Sequence, residues 1–141
     1  MYFDTSLIAK FYLNEPESSR VRALVRNADV IYTSVWAFAE LHAVLHRRLR
    51  EHSSSAADIR KIALTFNQHI EKGLWELIPV TEALLRRTAA LIIAAPRNVF
   101  IRAADAVHLV TARDAGQREI WTNDRHMLAA AEYFGVSGRA V

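Results

Sequence analysis

Short apolar runs alternate along the chain with longer stretches in which apolar residues return every third or fourth position. Met1 to Asp4 is short and apolar and predicts a strand, and Thr5 and Ser6 are cap candidates for a helix with Leu7, Ile8 and Phe11 at helical spacing. Asn14, Glu15 and Pro16 break that helix, and Val21, Leu24 and Val25 share one face of a second helix ending near Asn27. Val30 to Val35 reads as a strand, after which Ser34 can cap a long helix from Trp36 to about Glu51. Beyond a serine turn at Ser53–Ser55, Ile59, Ile62, Ala63, Phe66 and Ile70 mark an amphipathic helix that starts at Ala56 and is closed by Gly73. Two long helices joined by this turn predict a projecting helical hairpin.

The second half repeats the theme. Leu74 to Val80 predicts a strand, Thr81 to Ala95 a helix capped by Thr81, and Pro96 with Asn98 a loop. Arg102 to Ala115 is helical and ends at Gly116, Glu119 to Thr122 is a strand, and Arg125 to Phe134 is a helix ended by Gly135. Val136 to Val141 is the candidate for a short edge strand. Strands alternating with helices predict an α/β fold of three layers, a central parallel sheet with helices on both faces, because parallel strands need crossover connections. No repeat, low-complexity tract or linker interrupts the pattern, so residues 1–141 read as one domain.

Composition narrows the class. Of 141 residues, 52% are hydrophobic and 23% charged, which excludes a disordered chain. There is no cysteine, which removes thiol nucleophiles, cysteine zinc sites and disulfides and fits a reducing compartment. The apolar stretch Ala89–Ala95 ends at Pro96, far short of the roughly 20 residues that span a bilayer, and reads as a core helix. The start, MYFDTSLIAK, places Asp4 where a signal peptide needs an apolar run, so a cytoplasmic location without membrane contact is expected. A net charge of +3 permits an anionic partner and by itself argues little more.

Four acids stand out. Ligands of open parallel sheets bind beyond the carboxyl ends of the strands, where Asp4 and Asp124 would lie, although each also precedes a helix and could serve as its N-cap. Glu40 sits in VWAFAELHAVL with Trp36 and Val44 one turn away on its face, and Asp105 sits in IRAADAVHLV between Ile101 and Leu109. Carboxylates that point with apolar neighbours need a partner, because a bare buried charge costs several kcal/mol. Arg102, three residues before Asp105, offers an ion pair; for Glu40 the nearest helical partner is Arg47, almost two turns away. Gathered at one sheet edge, Asp4, Glu40, Asp105 and Asp124 would repel one another unless cations lay between them, and hard oxygen donors select Mg²⁺ or Mn²⁺. Such ions promote phosphodiester hydrolysis.

The segments YFDTSLIAKFYLNEPES, WAFAELHAVLHR, IRAADAVHLVTA and IWTNDRHM resemble, in order and spacing, the acidic motifs of PIN-domain ribonucleases, in particular the VapC-like toxins of toxin–antitoxin pairs. The resemblance covers nearly the whole chain. It implies a PIN-like parallel sheet, Mg²⁺- or Mn²⁺-dependent endoribonuclease activity on RNA, a homodimer, and inhibition by a cognate antitoxin. Carried over, Asp4 and Asp105 would be the principal metal ligands, Glu40 and Asp124 would complete the acidic pocket directly or through water, and Thr5, Ser6 and Thr122 would support them. Two departures are visible: the tail after Gly135 is short for a full final strand, and Asn123 competes with Asp124 for the fourth position.

Other residues have plainer readings. His42 and His46 have zinc-ligand spacing but no third ligand in register. His108 and His126 read as ordinary hydrogen-bonded histidines or as RNA contacts. Arginines 86, 87, 97, 102, 113 and 118 could track a phosphate backbone or form solvated helix faces, and Arg47, Arg48 and Arg50 near the hairpin tip could do either or contact an antitoxin. Trp36, Phe38, Tyr12 and Trp75 read as core rather than as base-stacking platforms. A phosphorelay receiver would need an aspartate ending its central strand, where this chain has Ile78, Pro79 and Val80, and an aspartyl phosphatase a second acid at the position of Ser6. A non-catalytic binding module that keeps the fold is the alternative to a nuclease.

Overall fold

Parallel strands cannot be joined by tight turns, and in the computed structural model, which describes residues 1–141, helix separates each strand from the next. β1 (Tyr2–Phe3) leads through α1 (Thr5–Tyr12) and α2 (Ser18–Arg26) to β2 (Ile31–Ser34). α3 (Trp36–Arg50) and α4 (Ala56–Glu71) lead to β3 (Trp75–Ile78), α5 (Glu82–Ala94) and α6 (Ala103–Asp114) to β4 (Glu119–Trp121), and α7 (Arg125–Ala130) to β5 (Ser137–Arg139). The five strands form one sheet in the order β3-β2-β1-β4-β5 with every pairing parallel.

Side chains of successive strand residues point to opposite faces, which sorts the core into two layers. Tyr2 and Ile120 pack with Leu84 of α5, Ala106–Ala112 of α6 and Met127 of α7 on one face. Phe3, Ile31 and Trp75 pack with Leu7 and Ile8 of α1, Val21 and Val25 of α2, Leu41 and Leu45 of α3 and Phe66 of α4 on the other. The helices α3 and α4 form the expected hairpin: Leu41, Leu45 and Phe66 anchor its base in the core, while its tip, Glu51–Ser55, is largely exposed and Ser55 caps α4 by accepting the Asp58 N–H at 3.1 Å.

Several expectations are corrected. Asp4, not Thr5 or Ser6, caps α1, because its carboxylate accepts the Leu7 N–H at 3.0 Å. Val35 is the residue before α3, yet the Ser34 hydroxyl still accepts the Trp36 N–H at 3.0 Å. The third strand stops at Ile78, since Pro79 has no N–H for the ladder. The last helix ends at Ala130, and the turn through Gly135, at φ 83°, brings the tail back into register so that Ser137–Arg139 completes the sheet beside β4. The apolar stretch Ala89–Ala95 packs against the core in part: Leu91 and Ile92 rest on it, while Ile93 points outward. Trp36 and Phe38 are likewise exposed, whereas Trp75 is buried. No helix is long and apolar enough to cross a membrane.

Candidate functional site

Strand order runs outward from β1 to β2 and β3 on one side and from β4 to β5 on the other, so it reverses between β1 and β4. Asp4 follows β1 there, and Asp124 follows β4. Glu40 enters from the first turns of α3, and Asp105 from the first turn of α6. All four line one cavity of about 210 Å³ together with Thr5, Ser6, Arg102 and His108. A larger cleft of about 520 Å³ lies between the end of α1 and α4, but Asp58 is its only carboxylate.

Asp4 is buried and tightly held. The Ser6 hydroxyl donates to its carboxylate at 2.8 Å, the Leu7 N–H at 3.0 Å and the Thr122 hydroxyl at 2.6 Å. Burial raises its pKa, and these donors, Thr122 foremost, work against the rise. Thr122 also accepts the Asp124 N–H at 3.0 Å, which ties the ends of β1 and β4 together. Asp124 caps α7 through the N–H groups of His126 and Met127, at 2.7 and 3.1 Å, while its other oxygen faces Arg102 at 3.4 Å. Burial acts to raise its pKa, but those N–H donors and Arg102 outweigh it and hold it below the usual range. Capping and lining the cavity are therefore one role for Asp4 and Asp124, not rival ones. Asn123 faces away, its carboxamide oxygen accepting the Val141 N–H at 2.9 Å.

Glu40 finds partners across the cavity rather than at Arg47. The Thr5 hydroxyl donates to its Oε2, and His108 Nε2 lies 2.8 Å from the same atom. The Tyr2 hydroxyl is 2.8 Å from His108 Nδ1. Burial raises the pKa of Tyr2, so its hydroxyl stays protonated. Burial opposes ionisation of Glu40, but the hydrogen bond and charge of His108, with Thr5, hold its pKa low. His108 is the residue that sequence reasoning undervalued. Its signal was its place three positions after Asp105 on α6, on the same helix face.

Asp105 is the uncomfortable member. Its Oδ2 is buried without a hydrogen-bond partner, and Arg102 stands 3.8 Å away. Burial, then the charge of Asp124, raises its pKa. As the side chains lie, no three acidic or histidine groups are close enough together to enclose one ion. The donor set nevertheless fits a hydrated divalent cation, since its four acids offer hard carboxylate oxygens, one of them buried and unpartnered, and Mg²⁺ usually keeps several waters between itself and protein ligands. The expected arginine track is partly neutralised: Arg86 pairs with Glu82, and Arg87 and Arg113 with Asp114. Arg48 at the hairpin pairs with Glu15, and His42 donates from Nδ1 to the Phe38 carbonyl at 2.7 Å, as befits a structural histidine.

Residues 1–133 match the family model of the PIN domain. The chain belongs to the PIN domain family. Among solved structures, this PIN domain is similar to the Mycobacterium tuberculosis toxin VapC20, described as cleaving the sarcin–ricin loop, with a TM-score of 0.72, 18% identity, and coverage of 92% of this chain and 93% of that one. FitAB bound to the IR36 DNA fragment gives 0.73 at 20% identity, covering 99% and 93%, and FitAcB from Neisseria gonorrhoeae gives 0.68 at 18%, covering 97% and 94%. These likenesses establish the fold. No curated protein matches the sequence significantly.

Proposed function

We propose that this PIN domain is a Mg²⁺- or Mn²⁺-dependent endoribonuclease and the toxin of a toxin–antitoxin pair. The observation that carries the reading is the convergence of Asp4, Glu40, Asp105 and Asp124 on one cavity at the switch point of the sheet. Asp4 and Asp105 would hold the cation, with Glu40 and Asp124 completing the shell directly or through water. When bound, the cation supplies a nucleophile at neutral pH and offsets charge on the leaving oxygen. The protein's own part is positioning. Ser6, Leu7 and Thr122 fix Asp4, while Thr5 and His108 fix Glu40. Arg102 lies between Asp105 and Asp124 and offsets their mutual repulsion when no cation is there.

Membership of the PIN domain family and similarity in fold to the toxin VapC20 support the toxin role. A cognate antitoxin and a cytoplasmic location belong to the same reading. A homodimer does too, and the outward apolar residues Leu85 and Ile93 of α5 supply surface for it.

The test is end-mapping of total cellular RNA after incubation with the purified protein in Mg²⁺, in EDTA, and with Asp105→Asn. Discrete cuts that require both metal and Asp105 are expected. No cuts in Mg²⁺ or Mn²⁺ from folded, antitoxin-free protein would transfer the chain to the non-catalytic binding modules.

A further inference from the structure

Two exposed aromatic side chains sit beside residues that line the acidic cavity. Trp36 starts α3 one turn before Glu40 and is 44% exposed. Phe100 precedes Arg102 by two residues and is 58% exposed. Its ring lies 4.5 Å from that of His126, which follows Asp124 by two residues. Trp36 therefore stands on the Glu40 side of the cavity, and the Phe100–His126 pair on the Arg102–Asp124 side.

Neither ring has the burial that would make it structural. Trp75, by contrast, is 1% exposed and donates its indole N–H to Tyr12 at 2.7 Å. Single exposed apolar residues are ordinary, but exposed aromatic rings on both flanks of one cavity make a surface that a partner can cover. Charge at the second platform says what kind of partner fits. Arg97, Arg102 and Arg125 are all exposed around it, and none is in a close pair like those that neutralise Arg87 and Arg113, Arg102 approaching its acids no nearer than 3.4 Å. Aromatic faces interleaved with arginines suit unpaired nucleotides, whose bases stack while their phosphates meet guanidinium groups.

We infer that Trp36 and the Phe100–His126 pair are two base-stacking platforms that seat the nucleotides on either side of the phosphodiester presented to the cavity. The inference rests on the nuclease reading above for the identity of the chain that binds. It assigns to named residues a positioning role outside the acidic cluster. Stacking holds bases by their faces and reads little sequence, so these platforms set where the strand lies and leave base preference to other contacts. A duplex, whose bases are already stacked on one another, cannot use them.

The experiment measures the Kd of the Asp105→Asn protein in Mg²⁺ for a short single-stranded RNA of mixed sequence and for the same RNA annealed into a duplex. Phe100→Leu and Trp36→Leu keep apolar bulk and remove the aromatic face; Phe100→Trp and Trp36→Phe keep the face. Each leucine change is expected to weaken single-strand binding by at least about fivefold, leave duplex binding unchanged, and leave the melting temperature unchanged because both positions are exposed. The aromatic exchanges are expected to retain binding. In otherwise native protein the leucine changes should raise KM for RNA more than they lower kcat.

Single-strand binding equal to that of the parent in both leucine variants would overturn the inference, as would equal loss for single strand and duplex. So would altered self-association without altered RNA binding, which would make the patch a protein interface. The two readings fail separately. Aromatic-dependent binding without any cleavage by the native protein would sink the nuclease and keep the platforms, whereas cleavage indifferent to both leucine changes would do the reverse.

Discussion

Replacing Asp105 by asparagine probes the cavity at its least satisfied atom. Asp105 Oδ2 is buried without a hydrogen-bond partner, and burial, with the charge of Asp124, raises the carboxyl's pKa. A carboxyl whose folded pKa lies above its unfolded one contributes fully to stability only below the unfolded pKa, and that contribution is lost as pH rises through the folded pKa. An amide suffers no such loss. Asparagine leaves a polar group in the same place but no charge to desolvate or to repel Asp124, a relief of about 1.4 kcal/mol for each unit by which the carboxyl's pKa is raised, and the forfeited contact with Arg102, 3.8 Å long and exposed on the arginine side, is worth about 0–1 kcal/mol. The balance favours asparagine by about 1 kcal/mol at neutral pH without metal, a rise in Tm of about 3–5 °C for a chain of this size. Thermal melts in EDTA across the acid-to-neutral range should show a gap that opens as pH rises above the ordinary carboxylate pKa and is absent below it. Adding Mn²⁺ should reverse the ranking, since a ligand at about ten times its Kd stabilises the native protein by about 1.4 kcal/mol and the variant has lost a ligand. An asparagine variant that melts below the parent in EDTA at neutral pH would refute the repulsion, and a parent indifferent to Mn²⁺ would refute the metal site.

Three further outcomes follow from the same geometry. His108→Leu strands the Tyr2 hydroxyl and frees Glu40, so it should destabilise by about 1–3 kcal/mol; because Glu40 ionises at depressed pKa in the native protein, stability present above its unfolded pKa and lost on acidification should also shrink, which a pH series of melts would register. Asp124→Ala should cost about 1 kcal/mol through the lost cap of α7, whereas Asp124→Asn keeps the cap, holding Tm while cleavage falls. Gly138→Ala would set a Cβ 3.1 Å from the Leu128 Cα, a backbone atom that cannot swing aside, and should lower stability by about 1–3 kcal/mol by prising β5 from α7; unchanged chemical-denaturant stability would show that the tail is dispensable.

The sequence by itself determined the alternation of strands and helices, the parallel sheet that follows from it, and the positions of the four acids on their elements. These are local properties. Periodicity places Glu40 and Asp105 on apolar helix faces, and chain order puts Asp4 and Asp124 after strands, without reference to any distant residue. Tertiary structure decided which atoms meet. His108 lies 106 positions from Tyr2 and 68 from Glu40, so no window on the sequence could pair them. Asp124 lines the cavity while Asn123 is held by the Val141 N–H once the tail docks as β5. Exposure of Trp36, Phe38 and Ile93 was misread for the same reason. An apolar stripe specifies that a face could be buried, but only the closure of neighbouring elements over it determines whether it is, and here the chain leaves those faces uncovered.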